Sequence, residues 1–192
     1  MPTFEKLLST LTQITIRARL HWDIWWAYEG EDESPKALPT MNRYSEFFRF
    51  DIHAHLTAMI IASYQLYEVK RTTHNLGVLV KRAGSEPGVP ATYFHVASNL
   101  LRESEPLAAK VRILRNNAFG HRSLALGYED AFEKAAITPF QLRDLTKTAL
   151  DIVNQFHRAL GDTDCDFNDA AIEHLRRLLD NLRDFHRTRR IS

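Results

Sequence analysis

The chain has 192 residues, enough for one domain with a proper core, and its 44 % hydrophobic and 26 % charged content is that of an ordinary soluble globular protein. A net charge of +1 excludes a globally basic nucleic-acid coat, so any polyanion has to be met by a local patch. Cys165 is the only cysteine, which excludes an internal disulfide and a cysteine-rich zinc site and points to a reducing compartment. The opening "MPTFEKLLSTLTQ" lacks the uninterrupted apolar core of a signal peptide. The most apolar run, "LTAMIIASY", falls far short of the ~20 residues that a membrane span needs. The expectation is a soluble, cytoplasmic protein with no membrane association.

Residues 4–28 set Phe4, Leu7, Leu8, Leu11, Ile14 and Ala18 at helical spacing, which predicts a first amphipathic helix. The acidic, proline-bearing "EGEDESPKALP" at 29–39 then reads as an exposed loop. A second helix is expected over 42–70, where Tyr44, Phe47, Phe48, Ile52, Leu56, Met59, Ile60 and Tyr67 keep the period. A short helix over about 73–83 stops at Gly84, and "GSEPGVP" breaks the chain before a further helical piece at 91–102.

Ser104 and Pro106 look like the N-cap and first turn of the next helix, which carries Leu107, Val111, Leu114 and Ala118 on one face. Thr138-Pro139-Phe140-Gln141 combines a capping Thr, Pro at the first helical position and Gln three residues after the cap. The helix opened there aligns Leu142, Leu145, Ala149, Val153, Phe156 and Leu160 before Gly161 ends it. A last helix over about 168–188 aligns Ile172, Leu175, Leu179, Leu182 and Phe185. No strand-like alternation and no internal repeat is found, so the fold class is an all-α helical bundle with short accessory helices in a single domain, 1–192.

Helical bundles often host metals, but the Glu-x-x-His pairs of di-iron bundles are missing. Asp51 and His55 stand four apart, where both could face one ion, yet two ligands among nine histidines arise easily by chance. No metal and no cofactor is expected. Trp22, Trp25 and Trp26 could stack on bases, although burial or a helix–helix interface is the plainer reading. Arg176, Arg177, Arg183, Arg187, Arg189 and Arg190 make the last helix basic, but Glu173, Asp180 and Asp184 are interleaved, as on a solvated face.

The segment "LRNNAFGH", 114–121, behaves differently. From Pro106 to Tyr128 there is no Asp or Glu, while Lys110, Arg112, Arg115 and Arg122 are cationic, a local field suited to a phosphate-bearing ligand. Arginine offers phosphate a fixed fork of donors, asparagine can orient a neighbour, and histidine moves protons near neutral pH. On a continuous helix Arg115 and His121 would stand ~9 Å apart along the axis and roughly 120° around it. Either Gly120 distorts the helix, or a two-fold partner gathers the groups by bringing a second arginine and histidine. The residues alone leave open whether this is a solvated helix end or a site.

Arg115-Asn116, four intervening residues and His121 resemble the Arg-polar-x(4)-His signature of the HEPN superfamily, helical domains typified by metal-independent endoribonucleases. "KVRILRNNAFGHRS", a variable link and "ITPFQLRDLTKTALDIVNQFHRAL" resemble its AbiU-like branch, associated with phage defence, over about 100–160; "SYQLYEVKRTTHNLGVLVKRA" resembles it more loosely. The resemblance implies that Arg115 and His121 are catalytic and that Asn116 supports them. His121 would serve as base for a ribose 2′-hydroxyl or acid for the 5′-oxygen, and Arg115 would stabilise charge on the phosphorus oxygens. Lys110, Arg112, Asn117 and Arg122 would contact RNA. A homodimer with a composite active site is implied, and an inhibitor or antitoxin is conceivable but unidentified. Arg122-Ser123 follows His121 where one branch of HEPN toxins has a tyrosine two places on, so control by tyrosine modification is not expected. The competing reading is a catalytically silent module that binds RNA, a nucleotide or a protein.

Overall fold

The computed structural model describes residues 2–30, 34–119 and 127–188. Among the described residues there are eight α-helices, one π turn and no strand, an all-α fold. The helices are α1 (Phe4–Glu29), α2 (Ser34–Arg43), α3 (Ser45–Leu66), α4 (Leu76–Ala83), α5 (Ala91–Leu114), α6 (Tyr128–Ala135), α7 (Pro139–Ala159) and α8 (Ala170–Thr188), with the π turn at Arg115–Phe119. None of these helices is long and apolar enough to cross a membrane. The chain divides into two compact units, one of residues 1–19 and 59–166, the other of 20–58 and 167–192.

In the first unit α5 packs most extensively on α7, and α4 and α6 pack on α5. The apolar spacing explains the core: Leu7, Leu8, Leu11, Leu114, Leu145 and Phe156 are fully buried, and the rings of Phe4 and Phe156 meet edge to face at 5.8 Å. Tyr67 buries its ring and donates its hydroxyl to the Leu145 carbonyl at 2.8 Å, so the polar tip is satisfied. Thr12 Oγ1 and His157 Nε2 lie 3.0 Å apart, joining α1 to α7.

The Thr138 signal folds as its chemistry requires. Gln141 N–H donates to Thr138 Oγ1 and the Thr138 N–H donates to Gln141 Oε1, so the first turn of α7 is capped from both sides. At the other end Gly161, with φ +81°, takes the left-handed conformation that stops the helix. α6, whose Tyr128, Ala131, Phe132 and Ala135 keep the helical period, stops at Ala136, also left-handed at φ 45° but without glycine's freedom. Lys110 Nζ, from α5, donates to the Ala136 carbonyl at 2.6 Å and to Gln141 Oε1 at 3.3 Å. One ammonium thus ties the end of α6 to the start of α7.

The second unit is centred on buried Tyr28, Ala37, Met41, Phe48 and Leu179, with Ile24, Ile52 and Leu175 packed against them. Tyr28 and Phe48 meet edge to face at 5.6 Å.

Several boundaries differ from those the sequence predicts. The expected loop at 29–39 contains the start of α2, because Ala37 and Met41, one turn apart, both find burial, while Pro39 is carried inside the helix. The expected helix over 42–70 is interrupted: Tyr44 N–H bonds the Met41 carbonyl at the α2–α3 junction, and α3 ends at Leu66. Tyr44 and Phe47, placed on the apolar stripe, are exposed. Ser104 and Pro106 do not open a helix. They lie inside α5, where buried Ser104 donates its hydroxyl to the Leu101 carbonyl at 2.7 Å. The short helix expected over about 73–83 begins at Leu76, capped by Asn75, which accepts from Val78 N–H at 2.9 Å.

Ala136→Gly is expected to raise stability by about 1 kcal/mol, since glycine removes the left-handed penalty of an L-residue. Thr138→Ala should lower it by about 1 kcal/mol. Urea unfolding midpoints of the two variants, read against the parent chain, check both.

Candidate functional site

The polar segment lies where α5 gives way to the π turn. Leu114, fully buried, is the last α-helical residue, and Arg115–Phe119 wind more widely. Such turns are rare and recur at functional sites. The sequence suggests a distortion at Gly120; the structure has one already within 115–119.

Within this turn the Arg115 guanidinium lies over the Tyr64 ring, 4.7 Å from its centroid. Its Nη1 donates to Asn116 Oδ1 at 3.0 Å. Among the described residues no carboxylate pairs with Arg115. One side of the planar cation is occupied by an aromatic face, one edge is fixed by an amide, and the remaining donors keep an unneutralised charge. Asn117 donates through Nδ2 to the Ile113 carbonyl at 2.8 Å, so its amide braces the wide turn.

The other predicted cations are differently placed. Arg112 pairs with Glu105 at 3.0 Å. The acid-free stretch begins one residue after Glu105, and two helical turns bring that carboxylate back onto the same face. Two of the three Lys110 N–H donors hold Ala136 and Gln141. His121 and Arg122 lie outside the described residues, as do Gly120 and Ser123.

Phe119, Tyr128 and Phe132 form an aromatic trio on either side of this stretch. Phe119 meets Tyr128 at 5.6 Å and Phe132 at 5.8 Å, and Tyr128 meets Phe132 at 5.1 Å. Burial raises the Tyr128 hydroxyl above the ordinary tyrosine pKa. The trio and Tyr64 were not singled out in the sequence. An aromatic at the end of the π turn, with two more at the start of α6, is a readable pattern, whereas nothing local connects Tyr64 to Arg115.

The other sequence candidates lie in the second unit. Asp51 accepts the Tyr28 hydroxyl at 2.8 Å and lies 3.7 Å from His55 Nε2, while His55 Nδ1 stands 3.0 Å from His21 Nδ1. One imidazole must donate and the other accept across that contact. Among the described residues no group of three or more His, Cys, Asp or Glu is arranged to hold a metal ion. Trp22 is buried and stacks on Trp26 at 5.5 Å, and a side chain at Gly30 would collide with the Trp26 carbonyl and indole, so packing accounts for both rings. On α8, Arg177 lies 3.7 Å from Glu173 and Arg183 2.9 Å from Asp180, the interleaving expected of a solvated face.

With this geometry in place, the family model described as AbiU2, of HEPN type, matches residues 1–180, and the chain belongs to that HEPN family. No curated protein and no solved structure matches it.

Burial holds the His55 imidazole below the usual histidine value of 6.5, against an opposing pull from Asp51. The unfolded chain therefore takes up this proton first. The resulting stability is intact above about pH 6.5 and is lost as pH falls through that value toward the folded pKa. Urea midpoints at pH 7.5 and 5.5 are expected to drop further for the parent chain than for His55→Gln; equal drops would remove His55 from the acid response.

Proposed function

We propose that the chain is a metal-independent endoribonuclease of HEPN type, a defence or toxin effector that cleaves RNA through attack of a ribose 2′-hydroxyl. The observation that carries this reading is the Arg115 guanidinium, fixed by Tyr64 and Asn116 and paired with no carboxylate among the described residues. A charge held in this way is preorganised for an anion that develops during reaction, because little reorganisation is needed when the charge appears.

In the proposed step the 2′-oxygen attacks phosphorus as its proton passes to His121. The P–O5′ bond breaks, the leaving oxygen takes a proton from an imidazolium, and the products are a 2′,3′-cyclic phosphate and a 5′-hydroxyl. Arg115 stabilises the extra negative charge on the non-bridging oxygens, and Asn116 positions Arg115. A homodimer would supply one imidazole as base and its two-fold mate as acid, which gives the composite cleft a chemical reason. Arg112 and Arg122, with the remaining donors of Lys110 and Asn117, would steer the RNA backbone. A DNA strand has no 2′-hydroxyl and is spared.

Purified full-length chain incubated with mixed RNA in EDTA is expected to give fragments ending in a 2′,3′-cyclic phosphate. His121→Ala should lower the rate by about 10²–10⁴-fold, and Arg115→Ala by about 10²–10³-fold. Uncut RNA, or equal cutting by His121→Ala, removes the enzyme. Binding without cleavage, weakened by salt and by Arg112→Ala, would instead assign a silent RNA-binding module.

The composite cleft is tested by sedimentation: a dimer is expected at the assay concentration, and an active monomer rules the shared site out.

A further inference from the structure

The first unit contains a second concavity, away from the Arg115 turn. It is a cavity of about 500 Å³ between the 67–75 link, α4 and the middle of α5, within the range of small-molecule sites. Glu105, on its wall, precedes Arg115 by ten residues along the same helical run, roughly 15 Å. A phosphodiester held by Arg115 would not fill it.

Its walls are fixed in advance. Buried Asn75 donates to the Lys70 carbonyl at 2.7 Å and accepts from Val78 N–H at 2.9 Å, which pins the link to the start of α4. Tyr67, at the other side, is tied to the Leu145 carbonyl.

Three kinds of group line the space. Val69 is 72 % exposed, and Val78 and Leu101 are half-buried, so apolar surface faces solvent. Arg71 and Lys81 are exposed cations with no partner among the described residues. Among the described residues Glu68 and Glu105 are each engaged through Oε1, by the Tyr64 hydroxyl at 3.3 Å and by Arg112 at 3.0 Å, and neither Oε2 has a partner.

The ligand these groups would recognise has an apolar body, an anionic end for Arg71 and Lys81, and N–H donors for a carboxylate. An alkyl carboxylate meets the first two demands but leaves both acids facing hydrocarbon, at a desolvation cost. Inorganic phosphate meets only the second. A guanine nucleotide meets all three, because guanine presents two adjacent donors, N1–H and N2–H, for the open Oε2 atoms of Glu68 and Glu105, whereas adenine offers its amino group alone. We propose that this cavity is a binding site for a guanosine phosphate, separate from the Arg115 turn.

Isothermal titration of the full-length chain with guanosine 5′-monophosphate tests the proposal, with guanosine, adenosine 5′-monophosphate, inorganic phosphate and decanoate as comparison probes. Guanosine 5′-monophosphate is expected to bind at least tenfold more tightly than any of the four. The double variant Arg71→Glu/Lys81→Glu should weaken it at least tenfold with an unchanged circular dichroism spectrum, and Arg115→Ala should leave it unaltered. No binding up to millimolar nucleotide, equal affinity in the double variant, loss in Arg115→Ala, or preference for decanoate, phosphate or the adenine nucleotide would each overturn it. The measurement needs no RNA cleavage, so its outcome is independent of the nuclease reading.

Discussion

The packing of α5 on α7 is the constraint on which the candidate site depends. Val111 and Leu114 on α5 and Leu145, Ile152 and Phe156 on α7 are all buried, and a helix with its apolar side committed in this way keeps a fixed rotation up to its final α-helical residue. Arg115 is the next residue. Its direction is inherited from that buried seam, and Tyr64 receives the guanidinium where it emerges. A mobile surface arginine would have to be ordered when a phosphate arrived; this one is already ordered by packing around it.

The same helix end separates two uses of positive charge. Lys110 is held by a carbonyl and an amide oxygen and joins α5 to the end of α6 and the start of α7, while Arg112 is neutralised by a carboxylate of its own helix. Arg115 is held by groups of no net charge, an aromatic ring and an amide. Neutral supports fix position without cancelling charge, whereas an ion pair does both. That difference is invisible in a count of basic residues, and it singles out Arg115 among the described cations of this stretch.

Much of the fold was legible because helices write themselves locally. The apolar period of 4–28, the Thr138–Gln141 capping box and the Gly161 stop all translate directly into α1 and α7. Failures came where tertiary contact overrode a local signal. Pro106 looked like a beginning, yet α5 runs through it because residues on both sides, Ala97, Ala108 and Val111, find burial. The 29–39 segment reads as a loop because it is acidic and carries prolines, yet burial of Ala37, and of Met41 just beyond it, sets its later residues in α2. At the site, Asn116 could be read as a neighbour able to orient Arg115, since adjacent residues need no fold to meet. Tyr64 could not, because only the packing of the end of α3 near the end of α5 brings it there. Glu105 stood in plain view at seven residues from Arg112, a helical spacing that an acid-free window starting at 106 left just outside.

The wide turn at 115–119 bears on which changes in length the chain can absorb. Each residue of an α-helix advances the side-chain direction by about 100°. A wide turn is closed by bonds one residue longer than those of an α turn, so it holds roughly one residue more. Removing one residue from Arg115–Phe119, so that the winding reverted to the tighter form, would therefore keep the rest of the run close to its direction. A deletion one turn earlier in α5, where there is no spare residue, would swing the run by about 100° while leaving its side chains chemically intact. Of this whole run, the wide turn is where the loss of a residue disturbs direction least.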